Sequence, residues 1–323
     1  MISSETQDGY PITIPSTFHG YKVLNNLGCG STCIVELVED QITFEKFSAK
    51  IISKIDVTNR NMLESVNNEI EILKSISHPN IIKIQETFEL KNENEEEYIV
   101  IIMEYCEKGD LLTYASNRCF PNISTKKKII LDFLKAIQYL HQKRISHGDI
   151  KSENILLSSD LTAKLCDFGY CRNKEIAGDE CKNGTFYYAA PELFQKGRFN
   201  TLKSDIYSIG ITLYSLSELE FPFRSGSKNF IAQQTVSGSL YIQSLDKKLC
   251  NLVEKCTDID PIHRPTIDEI LCDDYFKEDK VLGKINNIDS YNKIVFSSVI
   301  KESSDEGWSN SSDDDYQISD YDF

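Results

Sequence analysis

No stretch of this sequence approaches the ~18 consecutive apolar residues that a membrane-spanning helix needs. The opening segment, MISSETQDGYPITIPST, has neither a basic start nor an apolar run, so no secretory leader is expected. Basic residues are in short supply: 35 Lys and Arg stand against 50 Asp and Glu, a formal net charge of −15. That balance speaks against nucleic acid or an anionic membrane as a main partner. The ten cysteines show no paired Cys-x-x-Cys spacing, so they do not read as a zinc site. Without a leader they read as reduced thiols in the cytoplasm or nucleus. No internal repeat is visible.

What the sequence does have is a long stretch of dense apolar periodicity, from Phe18 to about Phe276, enough for two coupled lobes with a sizeable core. Residues 1–18, polar and with two prolines, are expected to form a flexible arm. Strand-like pieces follow at Tyr21–Leu27, Ile34–Glu39 and Phe44–Ile52, then a helical stretch at Asn61–Ile76. Two further strand-like pieces, Ile81–Leu90 and Tyr98–Tyr105, are joined by the acidic run KNENEEE, which reads as a solvated hairpin loop. After Gly109 the pattern turns helical. Ile129, Ile130, Phe133, Leu134, Ile137 and Leu140 share one helix face, and Ile206, Ile209, Leu213 and Leu216 share another. Residues 301–323 carry eight carboxylates and one lysine, a composition that cannot offset ordering entropy, so a disordered tail is expected there.

Three segments carry chemistry. Gly28-Cys29-Gly30-Ser31-Thr32-Cys33-Ile34-Val35 lies between two strand-like pieces, where glycines allow close approach of the backbone to phosphates. Alone it reads equally as an ordinary Gly-rich hairpin. Lys50 ends the segment Phe47-Ser48-Ala49-Lys50, and in the following helix Met62, Val66, Glu69 and Leu73 share one face. Glu69 is then a carboxylate in an apolar stripe. Either it pairs with a cation, for which Lys50 is the natural candidate, or it lies in water at the edge of the stripe. The third segment is the most specific. His147-Gly148-Asp149-Ile150-Lys151-Ser152-Glu153-Asn154 is followed by a short apolar strand and then by Cys166-Asp167-Phe168-Gly169. Asp and Asn oxygens suit Mg²⁺ shared with phosphates, and a lysine between them can neutralise a transferring phosphoryl group. Solvated turns have no need of this order and spacing.

These segments, together with Ala190-Pro191-Glu192, Ser204-Asp205-Ile206-Tyr207-Ser208-Ile209-Gly210 and Asp260-Pro261-Ile262-His263-Arg264-Pro265, resemble the signature set of the eukaryotic protein kinases over roughly Tyr21 to Phe276. The layout is most similar to the calcium/calmodulin-dependent group of serine/threonine kinases. The resemblance implies an α+β, two-lobed fold: a small antiparallel β-sheet lobe with one main helix (19–103), a hinge (104–109) and a larger, mostly helical lobe (110–276), with 277–323 as an extension. It implies transfer of the γ-phosphate of Mg-ATP to Ser and Thr hydroxyls of protein substrates. Asp149 would orient the acceptor hydroxyl, Lys151 would contact the γ-phosphate and Thr185 would touch both. Lys50 would hold the α- and β-phosphates and pair with Glu69, while Asn154 and Asp167 would bind Mg²⁺. Gly28, Gly30, Val35, Ala49, Met103, the backbone of Glu104 and Cys106, and Asp110 would complete the nucleotide site. Leu73, Ile84, His147 and Phe168 would stack between the lobes, Glu192 would pair with Arg264, and Asp205 would hold the catalytic loop. A scaffold module on the same fold, without catalysis, is the alternative; the full phosphoryl-transfer set argues for the enzyme. No EF-hand loop is present and segment 280–300 has no strong basic face, so no direct calmodulin binding is expected.

Two departures from the pattern stand out. Cys33 replaces the third loop glycine. Gly148 replaces the arginine that usually precedes the catalytic Asp, and between Gly169 and Gly184 there is no Ser or Thr, with Cys181 where a regulatory threonine is common. Both halves of the usual charge switch are missing, so activation-loop phosphorylation is expected to be unnecessary.

Overall fold

The computed structural model describes residues 1–117, 120–172, 176–177, 185–195, 198–224, 226–244 and 246–277. Cys181 with its acidic neighbours Asp179 and Glu180, and the extension with its acidic tail, lie outside the described residues.

The small lobe is built on a six-stranded antiparallel sheet in the order β3-β4-β5-β6-β8-β7. Its strands are β3 (Thr17–Phe18), β4 (Tyr21–Cys29), β5 (Cys33–Asp40), β6 (Lys46–Ser53), β7 (Ile84–Lys91) and β8 (Glu97–Glu104). In the register, Val35 faces Lys50 and Lys50 faces Ile101. Side chains alternate between faces along each strand. Ile34, Val38, Ala49, Ile51, Val100 and Ile102 form the core of the outer face, while Ile52, Ile99 and Ile101, with Cys33 and Met103, meet helix α2 (Leu63–Ser75) on the inner face.

One sequence expectation changes here. Residues 1–18 are not a flexible arm. Strands β1 (Ile2–Glu5) and β2 (Pro11–Ile14) pair antiparallel from Ile2↔Ile14 to Glu5↔Pro11. Ile12 and Ile14, at 1% and 0% exposure, close the outer face of the sheet. The cause is the alternation of Pro-Ile-Thr-Ile, which places two β-branched apolar side chains on one face of a strand. A short helix α1 (Lys54–Asn59), capped by Ser53, precedes α2, the main helix of the lobe.

The large lobe is mostly helical: α3 (Leu111–Asn117), α4 (Ile123–Gln142), α5 (Thr201–Glu218), α6 (Lys228–Val236), α7 (Lys247–Cys256) and α8 (Ile267–Leu271). The six apolar residues read as one face of α4 are all at 0–1% exposure. Helix α5 is buried nearly all round; at Gly210 an added Cβ would lie 2.8 Å from Cys256 and Thr257, so this glycine lets α7 pack closely. A small sheet of β9 (Gly109–Asp110), β10 (Ile155–Leu157) and β11 (Ala163–Leu165) lines the lobe boundary. Leu73 of α2 belongs to the same core as Phe168 and the α4 face, so the two lobes share one apolar column. This is an α+β, two-lobed architecture. No described helix is long and apolar enough to cross a membrane.

Candidate active site

The site lies where the inner face of the small-lobe sheet meets the loops after α4 and β11. Strand β6 presents Lys50 inward, and Glu69, on the buried stripe of α2, answers it: the ammonium donates to both carboxylate oxygens at 2.8 and 2.9 Å. Glu69 is only 4% exposed, which decides between the two sequence readings in favour of the ion pair. Asp167 Oδ1 lies 3.7 Å from the same ammonium. Burial disfavours the charge on Lys50, but Glu69 and Asp167 outweigh it and hold its pKa well above the usual lysine value. Burial likewise acts to raise the Asp167 carboxyl, but Lys50 and Lys151 outweigh it and keep the group below the ordinary carboxylate range. Asp167 has a positive φ of 60°, a backbone conformation that turns the chain sharply at this point.

The catalytic loop is held from below by α5. Asp205 accepts the backbone N–H groups of His147 (2.8 Å) and Gly148 (2.9 Å), and His141 Nε2 lies 2.9 Å from the same carboxylate. The ring of His147 accepts the Asp149 N–H at Nδ1 (3.3 Å), which leaves the proton on Nε2 to be donated to the Cys166 carbonyl at 3.0 Å. One residue thus links the loop carrying Asp149 to the segment after β11 that carries Asp167, while its ring packs edge-on to Phe168 at 5.2 Å.

Asp149 is 6% exposed and is surrounded by donors. Its Oδ1 accepts from the Thr185 N–H (3.0 Å) and hydroxyl (2.9 Å); its Oδ2 accepts from Asn154 Nδ2 (2.9 Å) and Lys151 Nζ (2.9 Å). Lys151 also donates to the Thr185 oxygen at 2.6 Å. The three residues read as a catalytic group therefore form one closed network. Asn154 donates a second time, to the Asp149 carbonyl at 2.8 Å. Its Nδ2 is committed to Asp149, and its carboxamide oxygen remains for a cation.

Around the cleft, Val35 lies across from Lys50 on the inner face, and Met103 is half-buried between the inner-face cluster and the large-lobe core. Gly28 pairs with Val35, with open space where a Cβ would stand. The Glu104 carboxylate accepts the Lys83 N–H (2.7 Å) and pairs with Lys164 (2.9 Å). Asp110 Oδ1 accepts the Thr113 N–H at 2.8 Å and so caps α3. Cys106 is buried, which pushes its thiol pKa up to about 12.

Ala49 requires correction as a nucleotide-site residue. Strand alternation sends its side chain to the outer core with Ile34 and Ile51, away from the cleft. The inward residue is Ser48, two positions before Lys50, whose hydroxyl reaches the backbone carbonyls of Glu104 (3.2 Å) and Met103 (3.4 Å) at the hinge. Counting back two from Lys50 would have found it. Two further residues had no sequence signal. Ser65 donates to the Gly169 carbonyl and Asn68 Nδ2 to the Cys171 carbonyl (3.1 Å), fastening α2 to the segment after Asp167. That segment is also laddered to the catalytic loop, Ser146 N–H to Arg172 O (2.9 Å) and Arg172 N–H to Ser146 O (3.1 Å). Deeper in the lobe, Arg264 grips Glu192 with two bonds of 2.7 Å.

Over 289 residues, 85% of its length, the chain is 29% identical to serine/threonine-protein kinase SIK1 of Rattus norvegicus and 28% identical to the protein of that name from Mus musculus, covering 36% of each. It is 33% identical over 269 residues, 79% of its length, to 3-phosphoinositide-dependent protein kinase B of Dictyostelium discoideum, covering 28% of that protein. The chain thus spans about a third of the length of the curated relatives it matches. Residues 21–276 match the protein kinase domain, and the chain belongs to that family.

Proposed function

We propose that this chain is a protein serine/threonine kinase that transfers the γ-phosphoryl group of Mg-ATP to a protein Ser or Thr hydroxyl. The observation that carries the reading is the closed network of Asp149, Lys151 and Thr185. A carboxylate held by four donors is fixed in direction, placed to orient an acceptor hydroxyl and take up its proton. Lys151, already positioned against Asp149, neutralises charge on the moving phosphoryl group, and Lys50 holds the remaining phosphates at the far side of the cleft.

Mg²⁺ fits the donor set. Among the described residues no group of three or more His, Cys, Asp or Glu is placed to hold a metal ion. Asp167, and Asn154 through the carboxamide oxygen that its bonds to Asp149 do not use, are the residues that would hold it. That sparse oxygen set suits a hard cation that keeps waters and shares phosphate oxygens. When bound, the ion would neutralise phosphate charge and fix the phosphates for in-line transfer.

The same reading includes activity without activation-loop phosphorylation. It is supported by Gly148 in place of the usual arginine, and by the Ser65, Asn68 and Ser146 contacts that fasten the segment after Asp167 through neutral bonds. Protein made in a bacterial host should phosphorylate a generic Ser/Thr peptide before and after phosphatase treatment. Asp149→Ala should bind Mg-ATP and lose roughly 10²–10⁴-fold in turnover, the usual contribution of a positioned base. Wild-type-like turnover by that variant would refute the assignment, and activity appearing only after modification of Tyr170 or Thr185 would refute the regulatory part.

A further inference from the structure

We infer that residues 1–14 are a built-in positioning element for the nucleotide, holding the Gly-rich turn from behind and tying it to the end of α1, just before the helix that carries Glu69. The inference rests on the ATP-dependent reading above and names a determinant of its nucleotide affinity.

The tip of the β1–β2 hairpin is a closed turn. Thr6 is buried, its N–H donates to the Tyr10 carbonyl (2.8 Å), its hydroxyl accepts the Tyr10 N–H (3.0 Å), and its carbonyl accepts the Gly9 N–H (2.9 Å). From this turn two links leave. The Gln7 N–H donates to the Gly30 carbonyl at 2.9 Å, while the Gly30 N–H donates to the Cys33 carbonyl at 2.8 Å. Both backbone groups of the second loop glycine are therefore held, one within the turn and one by the hairpin. The second link is Asp8, which pairs with Arg60 at 2.7 Å, and the Arg60 guanidinium lies 5.6 Å from the centre of the Tyr10 ring. Arg60 caps the end of α1, three residues before α2 begins. The hairpin tip thus spans the phosphate-covering turn and the approach to Glu69.

The base of the hairpin keeps the tip in place. Ile12 and Ile14 are sealed into the outer core, and Asn92 Nδ2 donates to the Thr13 carbonyl at 2.9 Å. Ser4 donates at 2.8 Å to Glu36, which is 1% exposed and whose other oxygen has no partner among the described atoms. A second negative charge at position 4 would face that buried carboxylate and lift the hairpin.

A glycine turn that binds phosphates through its backbone gives up conformational freedom when it does so, and a turn already held loses less. Loosening the hairpin should therefore weaken nucleotide binding rather than the chemical step. The test compares Asp8→Arg, Ser4→Asp and the Asp8→Arg/Arg60→Asp exchange with wild type in the full chain. The readouts are calorimetric affinity for a non-hydrolysable Mg-ATP analogue and hydrogen exchange of residues 28–33. Asp8→Arg and Ser4→Asp should each weaken binding by about three- to tenfold, the scale of a partly buried pair, with faster exchange at the turn. The exchanged pair should recover most of both. A lowered Tm with unchanged affinity and unchanged exchange at 28–33 would reduce the hairpin to a cover for the core and overturn the inference alone. A folded wild-type protein that bound no analogue would overturn the inference and the ATP-dependent reading together.

Discussion

Gly148 and Tyr170 cross so closely that a β-carbon on Gly148 would stand 2.6 Å from the Tyr170 carbonyl oxygen. Gly148 also has φ of +81°, a conformation that favours glycine. The arginine usual before a catalytic Asp is therefore not merely absent: the backbone has closed over its place. Gly148→Ala should cost about 1–3 kcal/mol through φ strain and the contact with backbone. Gly148→Arg should cost at least as much and should gain no dependence on an activating kinase. Thermal unfolding and turnover before and after phosphatase check this. A Gly148→Arg protein as stable and active as wild type would show that the crossing opens freely.

Arg264, 1% exposed, spends its guanidinium on both oxygens of Glu192, on the carbonyls of Asp258 and Lys203 (2.8 Å each) and on a stacking contact with Tyr207 at 5.1 Å. Removing it strands a carboxylate and two carbonyls in the lobe. Arg264→Ala should lose about 3–5 kcal/mol, at ~2–4 °C of Tm per kcal/mol for a domain of this size. Arg264→Lys should recover little, because a single ammonium cannot make the two-pronged bond. Thermal denaturation of the three proteins decides; a lysine variant at wild-type Tm would contradict the geometry.

The segment from Asp149 to Asn154 stood out in the sequence because the phosphoryl transfer proposed for it restricts residue type and order, and the fold brings Asp149, Lys151 and Asn154 into one hydrogen-bonded group. Glu69 was half-readable, since a carboxylate in an apolar stripe demands a partner but does not name it. Ala49 was misplaced through its nearness to Lys50, when strand periodicity puts immediate neighbours on opposite faces and points to Ser48. The N-terminal hairpin was signalled by the Ile12 and Ile14 alternation but masked by its polar surroundings. Helix α1 buries one residue, Val57, too little for periodicity to register. The Ser65 and Asn68 contacts end on backbone carbonyls, which every residue has, so nothing in the sequence marks them.

Lys126 is an amine under strain. On α4 it donates to the Ser217 hydroxyl at 3.0 Å and lies 5.9 Å from the centre of the Phe120 ring. Burial lowers its pKa to about 8, against the weaker pull of Glu218 and Asp246. A lysine whose folded pKa lies below its unfolded value penalises folding most while the folded group is charged, below about pH 8, and the penalty fades as pH climbs toward the unfolded pKa of about 10.4. Lys126→Met should therefore raise stability by about 1–3 kcal/mol at pH 7 and by progressively less toward pH 10. Denaturant titrations of both proteins at several pH values test the slope; a methionine variant less stable at pH 7 than at pH 10, relative to wild type, would reverse the sign.

Cys166 stands immediately before Asp167, with its S–H donating to the Asn154 carbonyl at 3.4 Å. Burial, reinforced by Asp167, raises its thiol pKa well above the usual value. Only the thiolate attacks an electrophile, so this thiol should be slow at neutral pH despite standing beside Asp167 and Lys50. Its rate with an ATP-site-directed chloroacetamide should rise about tenfold per pH unit through the ordinary thiol range without levelling off, because the thiolate fraction is still climbing there. Saturating Mg-ATP should suppress the labelling by covering the cleft. Cys272, exposed on the large lobe, supplies the internal control, labelled equally with and without nucleotide. Mass spectrometry of the two peptides across pH 7–10 reads both effects. Levelling near neutral pH would mean the thiol is less buried than its contacts require, and labelling indifferent to Mg-ATP would remove Cys166 from the nucleotide site.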